Sequence, residues 1–199
     1  MKIFGLTLLL YIGFFGIPNE NKTEIPVVNS EMERFNSKLE EVKNVIYKNT
    51  TYNTKIAFLI DMRIKSGKNR FFIYDLENNK ILDQGLVANG SGSETNVRGE
   101  LKFSNEPESK CTSLGSYTVG KSYVGMFGKS YKLHGLNETN NNAEKRAIVL
   151  HSYSAVPNEE QDYYISNSKG CPMVSEAFFK KLEKIIDSSK TRIVLNIYY

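Results

Sequence analysis

The sequence predicts a mainly β domain, a sandwich or partly open barrel with peripheral helices, preceded by an N-terminal helix. Three observations carry this. From Thr51 onward short runs of strand-forming residues alternate with glycine and asparagine; only two stretches show the three-and-four spacing of an amphipathic helix; and the runs at 70–74 and 80–87 flank an asparagine-rich turn. The 199 residues, 40% of them hydrophobic and 12% aromatic, supply one core.

Taken in order, Lys2 precedes an uninterrupted apolar run at 3–17 that stops at Pro18-Asn19-Glu20. The run is too short to cross a bilayer, so residues 1–17 read as a signal peptide or a short apolar anchor, and export to the periplasm or cell envelope of a bacterium is expected. Membrane contact is expected through this segment alone. No cysteine follows it to carry a lipid, and only Gly13 and Gly16 offer small side chains near its end, which leaves cleavage and retention both open. Residues 18–50 hold a polar linker and an amphipathic helix. Ser30 with Glu33 reads as a capping box opening that helix, and Met32, Phe35, Leu39, Val42 and Ile46 form its apolar stripe.

Residues 51–199 form the main domain. Strands are expected over 56–64, 70–74 and 80–87, with Glu77-Asn78-Asn79 as a hairpin turn because asparagine tolerates positive φ. Asn89-Gly90-Ser91-Gly92-Ser93 lacks the Gly-Lys-Ser/Thr ending of a phosphate loop and reads as a surface or site-wall loop. Further strands are expected at 115–120, 130–134, 146–151 and 192–199. A second helix opens at Ser175 and buries Phe178, Leu182 and Ile185. Tyr123, Tyr131, Tyr153, Tyr163 and Tyr164 are assigned to packing.

The formal charge of +4 is spread along the chain, and no block of basic residues is interleaved with aromatics, which excludes nucleic acid as a partner. The excess of base over acid favours weak, salt-sensitive attraction to an anionic surface such as a bacterial wall.

Chemistry concentrates in Ser168-Lys169-Gly170-Cys171-Pro172, downstream of His151-Ser152. A free thiol ionises near pH 8.5, so Cys171 needs a base or a positive neighbour to attack a carbonyl carbon at neutral pH. His134 and His151 each end an expected strand, and spacing alone does not choose between them. Cys111 is the only other cysteine, so an exported chain has the alternative of one Cys111–Cys171 disulfide. Gly170 favours the reactive thiol, because glycine permits a turn on which neighbouring amide N–H groups converge on an oxyanion.

The region from Phe72 to Tyr199 resembles the YkuD-like L,D-transpeptidases of bacterial cell walls, whose signature is a histidine, a mid-teens spacer and Ser/Thr-His-Gly-Cys. Here 16 residues separate His151 from Ser168-Lys169-Gly170-Cys171, and the proline after the cysteine matches a divergent branch of that family. Further resembling pieces are Phe72-Ile73-Tyr74-Asp75-Leu76, Phe103-Ser104-Asn105, Ser113-Leu114-Gly115, His134-Gly135-Leu136, Asn142-Ala143, Arg146-Ala147-Ile148-Val149-Leu150-His151 and Ile197-Tyr198-Tyr199.

The resemblance implies an L,D-transpeptidase-like fold over 51–199 and a cysteine enzyme acting on peptidoglycan stem peptides without metal or organic cofactor. It implies Cys171 as nucleophile, His151 as base, the Ser152 carbonyl as orienter of the imidazole, and the Gly170 and Cys171 amides as oxyanion donors. Ser168, Lys169 and His134 are left as supporting or electrostatic candidates. Lys169 replaces the second histidine of the common motif, and Met173 stands where many members have a polar residue or arginine, so recognition of a substrate carboxylate is expected elsewhere. Two other outcomes use the same chain: an L,D-carboxypeptidase with water as acceptor, and a catalytically silent wall-binding domain.

Overall fold

The computed structural model describes residues 27–199, so the apolar segment 1–17 and most of the linker lie outside the described residues. The elements are α1 (Val27–Tyr47), β1 (Tyr52–Asp61), β2 (Phe71–Asp75), β3 (Lys80–Gly85), β4 (Val87–Ala88), β5 (Gly115–Gly125), β6 (Gly128–Gly135), β7 (Val149–Ser152), β8 (Met173–Val174), α2 (Glu176–Ser188) and β9 (Arg192–Tyr198). The strands make one sheet in the order β3-β2-β1-β9-β5-β6-β7-β8-β4. Most neighbours are antiparallel, while β1 with β9 and β7 with β8 run parallel. The two edge strands, β3 and β4, are joined through Leu86 alone, which curls the sheet without closing it. This is the mainly β, partly open architecture expected, built as a single sheet.

The central strands are buried on both faces, which explains their unbroken apolar runs. Phe58, Ile60, Phe71, Ile73, Leu195 and Ile197 point into the main core with α2. The alternate residues Ala57, Leu59, Phe72, Tyr74, Val194 and Tyr198 meet Phe35, Leu39, Val42 and Ile46 of α1. Helix α1 therefore covers one face of β1, β2 and β9. It starts three residues earlier than the capping-box reading placed it, so Ser30 lies inside the helix, where its carbonyl accepts from the Arg34 guanidinium. Met32 belongs to the expected stripe but is 51% exposed, because the stripe meets the sheet only from Phe35 onward.

Ser175 caps α2 as expected, its Oγ accepting from the Phe178 N–H at 3.2 Å. Phe178, Phe179 and Leu182 are buried, and Ile185 packs at the core margin. Phe178 also explains Gly85, where a Cβ would sit 2.6 Å from the Phe178 ring. In the β2–β3 turn Asn79 takes φ +50, the left-handed conformation anticipated for it.

Several elements differ from expectation. Strand β1 spans Tyr52–Asp61 where 56–64 was expected, and β7 starts at Val149 where 146 was expected. Strands β5 and β6 form a hairpin longer than the sequence runs suggested, because Lys121–Gly125 is exposed at every position and has no apolar alternation to mark it. The two-residue strand β8 is too short to carry a periodicity. Its parallel register, His151↔Met173, nevertheless fixes the Cys171 turn against β7.

Candidate active site

The Cys171 turn is held from behind. Buried Arg70 donates to the carbonyls of Val87 and Ile64 and to Asn89 Oδ1, at 2.7–3.0 Å. Its burial pulls the guanidinium down to about 9, and at neutral pH it stays charged. The Asn89 carbonyl accepts from the Ser168 N–H at 2.9 Å, and the Ser168 carbonyl accepts from the Ser91 N–H at 2.8 Å. The glycine-rich loop is thus a site wall, as expected. A Cβ at Gly90 or Gly92 would run into the backbone carbonyl of Lys110 or Ser109 respectively.

Gly170 takes φ +113, and a Cβ there would lie 2.8 Å from the Cys111 carbonyl oxygen. Only glycine fits that turn. Its N–H donates to Ser168 Oγ at 3.1 Å, so the Gly170 amide expected at an oxyanion is engaged locally, and the N–H left without a partner among the described residues is that of Cys171 itself. Ser168 is therefore the organiser of the turn, whereas Lys169 is exposed beside it and enters no ion pair.

The partly buried Cys171 thiol lies along the edge of β7. Its Sγ accepts from the Val149 N–H at 3.4 Å and donates to the Ala147 carbonyl at 3.8 Å. Ala147 has φ +53, a strained conformation for a residue with a Cβ, at the position whose carbonyl meets the thiol. Burial pushes the thiol pKa up, opposed by the Val149 N–H and by the Arg146 charge. Arg146, absent from the residues singled out in the sequence, donates to the carbonyls of Ser104 and Cys111 and to Ser113 Oγ. It cross-links the segment that backs Gly170. Its only sequence signal is its place in Arg146-Ala147-Ile148-Val149-Leu150-His151.

His151 is 2% exposed, and its Nδ1 lies 3.0 Å from the Ser152 carbonyl. A carbonyl only accepts, so Nδ1 carries the proton and Nε2 keeps its lone pair as a base. Burial pulls the imidazole pKa down, partly offset by the Ser152 carbonyl. One ring face stacks on Phe127, with centroids 4.2 Å apart and planes 20° apart. Phe127, at the tip of the β5–β6 hairpin, was not legible as a site residue because its exposed tip carries no motif.

The structure thus brings Cys171 and His151 to β7, with the thiol held at Val149, two residues before His151. No hydrogen bond joins them in this state among the described residues. His134 is elsewhere, in β6, with Nδ1 3.9 Å from a Glu144 carboxylate oxygen. Cys111 is a buried free thiol donating to the Gly92 carbonyl at 3.0 Å, and Cys171 is free as well.

A groove of 340 Å³ starts at Ala147 and Val149, the partners of the thiol, and passes Lys132, His134 and Tyr123. It shares those last residues with a wider cleft of 640 Å³ that reaches the C-terminal end of α2. Tyr123, assigned to packing from sequence, is 39% exposed on its wall. Among the described residues no group of three or more His, Cys, Asp or Glu side chains is placed to hold a metal ion, and no helix is long and apolar enough to cross a membrane.

Comparison with known proteins found the L,D-transpeptidase catalytic domain matched over residues 28–198. Similar solved structures include an L,D-transpeptidase from Xylanimonas cellulosilytica, 16% identical, covering 73% of this chain and 61% of that one with a TM-score of 0.39. An L,D-transpeptidase of Enterococcus faecium is 9% identical over 72% of this chain and 50% of its own, with a TM-score of 0.45. Bd1075 of Bdellovibrio bacteriovorus is 16% identical over 73% and 48%, with a TM-score of 0.45. The chain spans about half to three fifths of the length of these structures. No curated protein matched. The family match runs through α1, every strand, and the turn that carries Cys171, so the chain belongs to the L,D-transpeptidase catalytic domain family.

Proposed function

We propose that the protein is an exported L,D-transpeptidase that acts on peptidoglycan stem tetrapeptides at the bacterial cell envelope. The observation that carries the reading is a thiol and a neutral imidazole brought to β7, the imidazole fixed by Ser152 so that Nε2 is its base. Cys171 transfers its proton to Nε2, and the sulfur attacks the carbonyl joining the third residue to D-alanine. The Cys171 N–H donates to the developing oxyanion. The C–N bond breaks, D-alanine leaves with the proton from His151, and a thioester remains. The side-chain amine of a second stem, deprotonated by Nε2, then attacks the thioester to form a link between two third residues and free the thiol. Water in place of that amine gives the carboxypeptidase.

Membership of the family supports the reaction class, and the apolar run at 3–17 supports export. Lys169, exposed and unpaired, is proposed as a solvated turn residue and His134 as part of the groove wall.

The test is mass spectrometry of the protein with purified disaccharide tetrapeptide under reducing conditions, beside Cys171→Ala and His151→Gln. The expected result is D-alanine release with a cross-linked dimer, reduced by about 10³-fold or more in both variants. Release without a dimer identifies the carboxypeptidase. No release and no thioester on a titrated free thiol identifies the silent wall-binding domain.

A further inference from the structure

Around the outer half of the groove stand Lys121 on β5, Lys132 on β6, Lys190 after α2 and Arg192 on β9. None of the four side chains has a hydrogen-bond or ion-pair partner among the described residues. Elsewhere some lysines, such as Lys38, Lys43 and Lys181, pair with carboxylates and others, such as Lys48, Lys80 and Lys169, do not, so what sets these four apart is that they line one groove. Glu144 is the one carboxylate on the groove wall, and its nearest partner is His134. Four unpaired cations facing one concavity repel one another, and a bound anion offsets that repulsion.

The groove also begins at Ala147 and Val149, the two residues that hold the Cys171 thiol. Lys132 is in register with Val149, whose N–H holds the Cys171 thiol, and facing residues of an antiparallel pair lie about 5 Å apart. Among the described residues Lys169 is another unpaired cation near Cys171, but it lies exposed on the turn and does not line the groove. Arg146 is spent on Ser104, Ser113 and Cys111, and buried Met173 presents no charge.

We propose that this groove is an anion subsite that binds a free carboxylate of the peptide acylating Cys171, through Lys132 with Lys121, Lys190 and Arg192. The inference deepens the proposed function and rests on it for the identity of the peptide. The subsite selects peptides carrying a free acid over the same peptides with that acid amidated, and its affinity weakens with salt because the cations are exposed.

The experiment is titration calorimetry of the full chain carrying Cys171→Ala, which binds without turnover, against the stem tetrapeptide in free-acid form and with its carboxylates amidated. The free acid is expected to bind about tenfold or more tightly than the amide, the difference one charge-assisted contact supplies. Lys132→Met with Arg192→Met should abolish that preference, and Lys80→Met, on the exposed edge of β3, should keep it. Equal binding of the two peptides, a preference that survives the double variant, or no binding of either peptide would overturn the subsite. Turnover by the unmodified chain separates the two readings. A carboxylate preference without D-alanine release sinks the transpeptidase and leaves the subsite standing, and release without preference does the reverse.

Discussion

At Cys171 the surroundings oppose ionisation: burial raises the thiol pKa and burial also lowers that of His151, so the resting pair is a neutral thiol and a neutral imidazole. Alkylation of Cys171 by iodoacetamide should therefore climb through and beyond pH 9, with no plateau at pH 5–8 of the kind a preformed thiolate–imidazolium pair produces. A plateau there would show the ion pair. The linkage signs are opposite for the two groups. The folded state releases the thiol proton later than the unfolded chain, so stability falls as pH rises past the unfolded thiol range. The folded state resists protonation of His151, so stability also falls as pH drops below the ordinary histidine range of about 6.5. Denaturant midpoints across pH would show both flanks, and Cys171→Ala should shrink the alkaline one and leave the part that comes from Tyr117, Tyr131 and Tyr198, whose hydroxyl pKa values burial also pushes up. Gly170 makes a separate case. Its φ of +113 and the nearby Cys111 carbonyl mean that Gly170→Ala strains the turn by about 1–2 kcal/mol or displaces it, and D-alanine release should fall at least tenfold while the melting temperature shifts by only a few degrees.

At the scale of elements, the β5–β6 hairpin bears most directly on the site. Phe127 covers one face of an imidazole that is only 2% exposed, while its neighbours Val124 and Met126 stand 83% and 92% exposed. Removing the ring in Phe127→Ala admits water to His151, and the desolvation that depresses its pKa weakens. The acid limb of kcat/KM should move toward the ordinary histidine range, with thermal stability unchanged, because the side chain lies on the surface. An unmoved limb would make the stack incidental. These elements also show what the sequence disclosed. Strands β1, β2 and β9 were legible because burial on both faces left long apolar runs, and α2 was legible because Ser175, Phe178 and Leu182 follow capping and spacing rules. The outer hairpin and β8 were not. Their residues are set by exposure or by two ladder pairs, neither of which leaves a periodic trace. Cys171 and Gly170 stood out as candidates through turn chemistry and His151 only through the family resemblance, whereas Arg146 and Phe127 make their contacts across 35 and 24 residues of chain, which no local pattern encodes.

Across the whole molecule the sheet packs against both helices, and α1, which precedes the change of composition at Thr51, shares a buried layer with β1, β2 and β9. Helix α1 lays Phe35, Leu39, Val42 and Ile46 on Ala57, Leu59, Phe72, Tyr74, Val194 and Tyr198. Phe35 meets Phe72 edge to face at 5.3 Å, and Arg34 pairs at 2.9 Å with Asp61, whose side chain is 1% exposed. Each large apolar side chain contributes about 1.5–3 kcal/mol when buried, so four of them amount to a substantial part of the 5–15 kcal/mol by which a typical domain is stable. Cutting α1 away also leaves Asp61 without its cation, at a cost of about 3 kcal/mol or more if it stays buried. The chain beginning at Thr51 should therefore bind a hydrophobic dye, lose its cooperative thermal transition and release no D-alanine. The chain beginning at Val27 should melt cooperatively. Arg34→Met in the longer chain isolates the ion pair: it should lower the melting temperature without abolishing the transition, because the apolar stripe still seats the helix. Cooperative melting of the chain from Thr51 with an unchanged midpoint would instead make α1 an appendage, and the catalytic sheet would then stand on the α2 core alone.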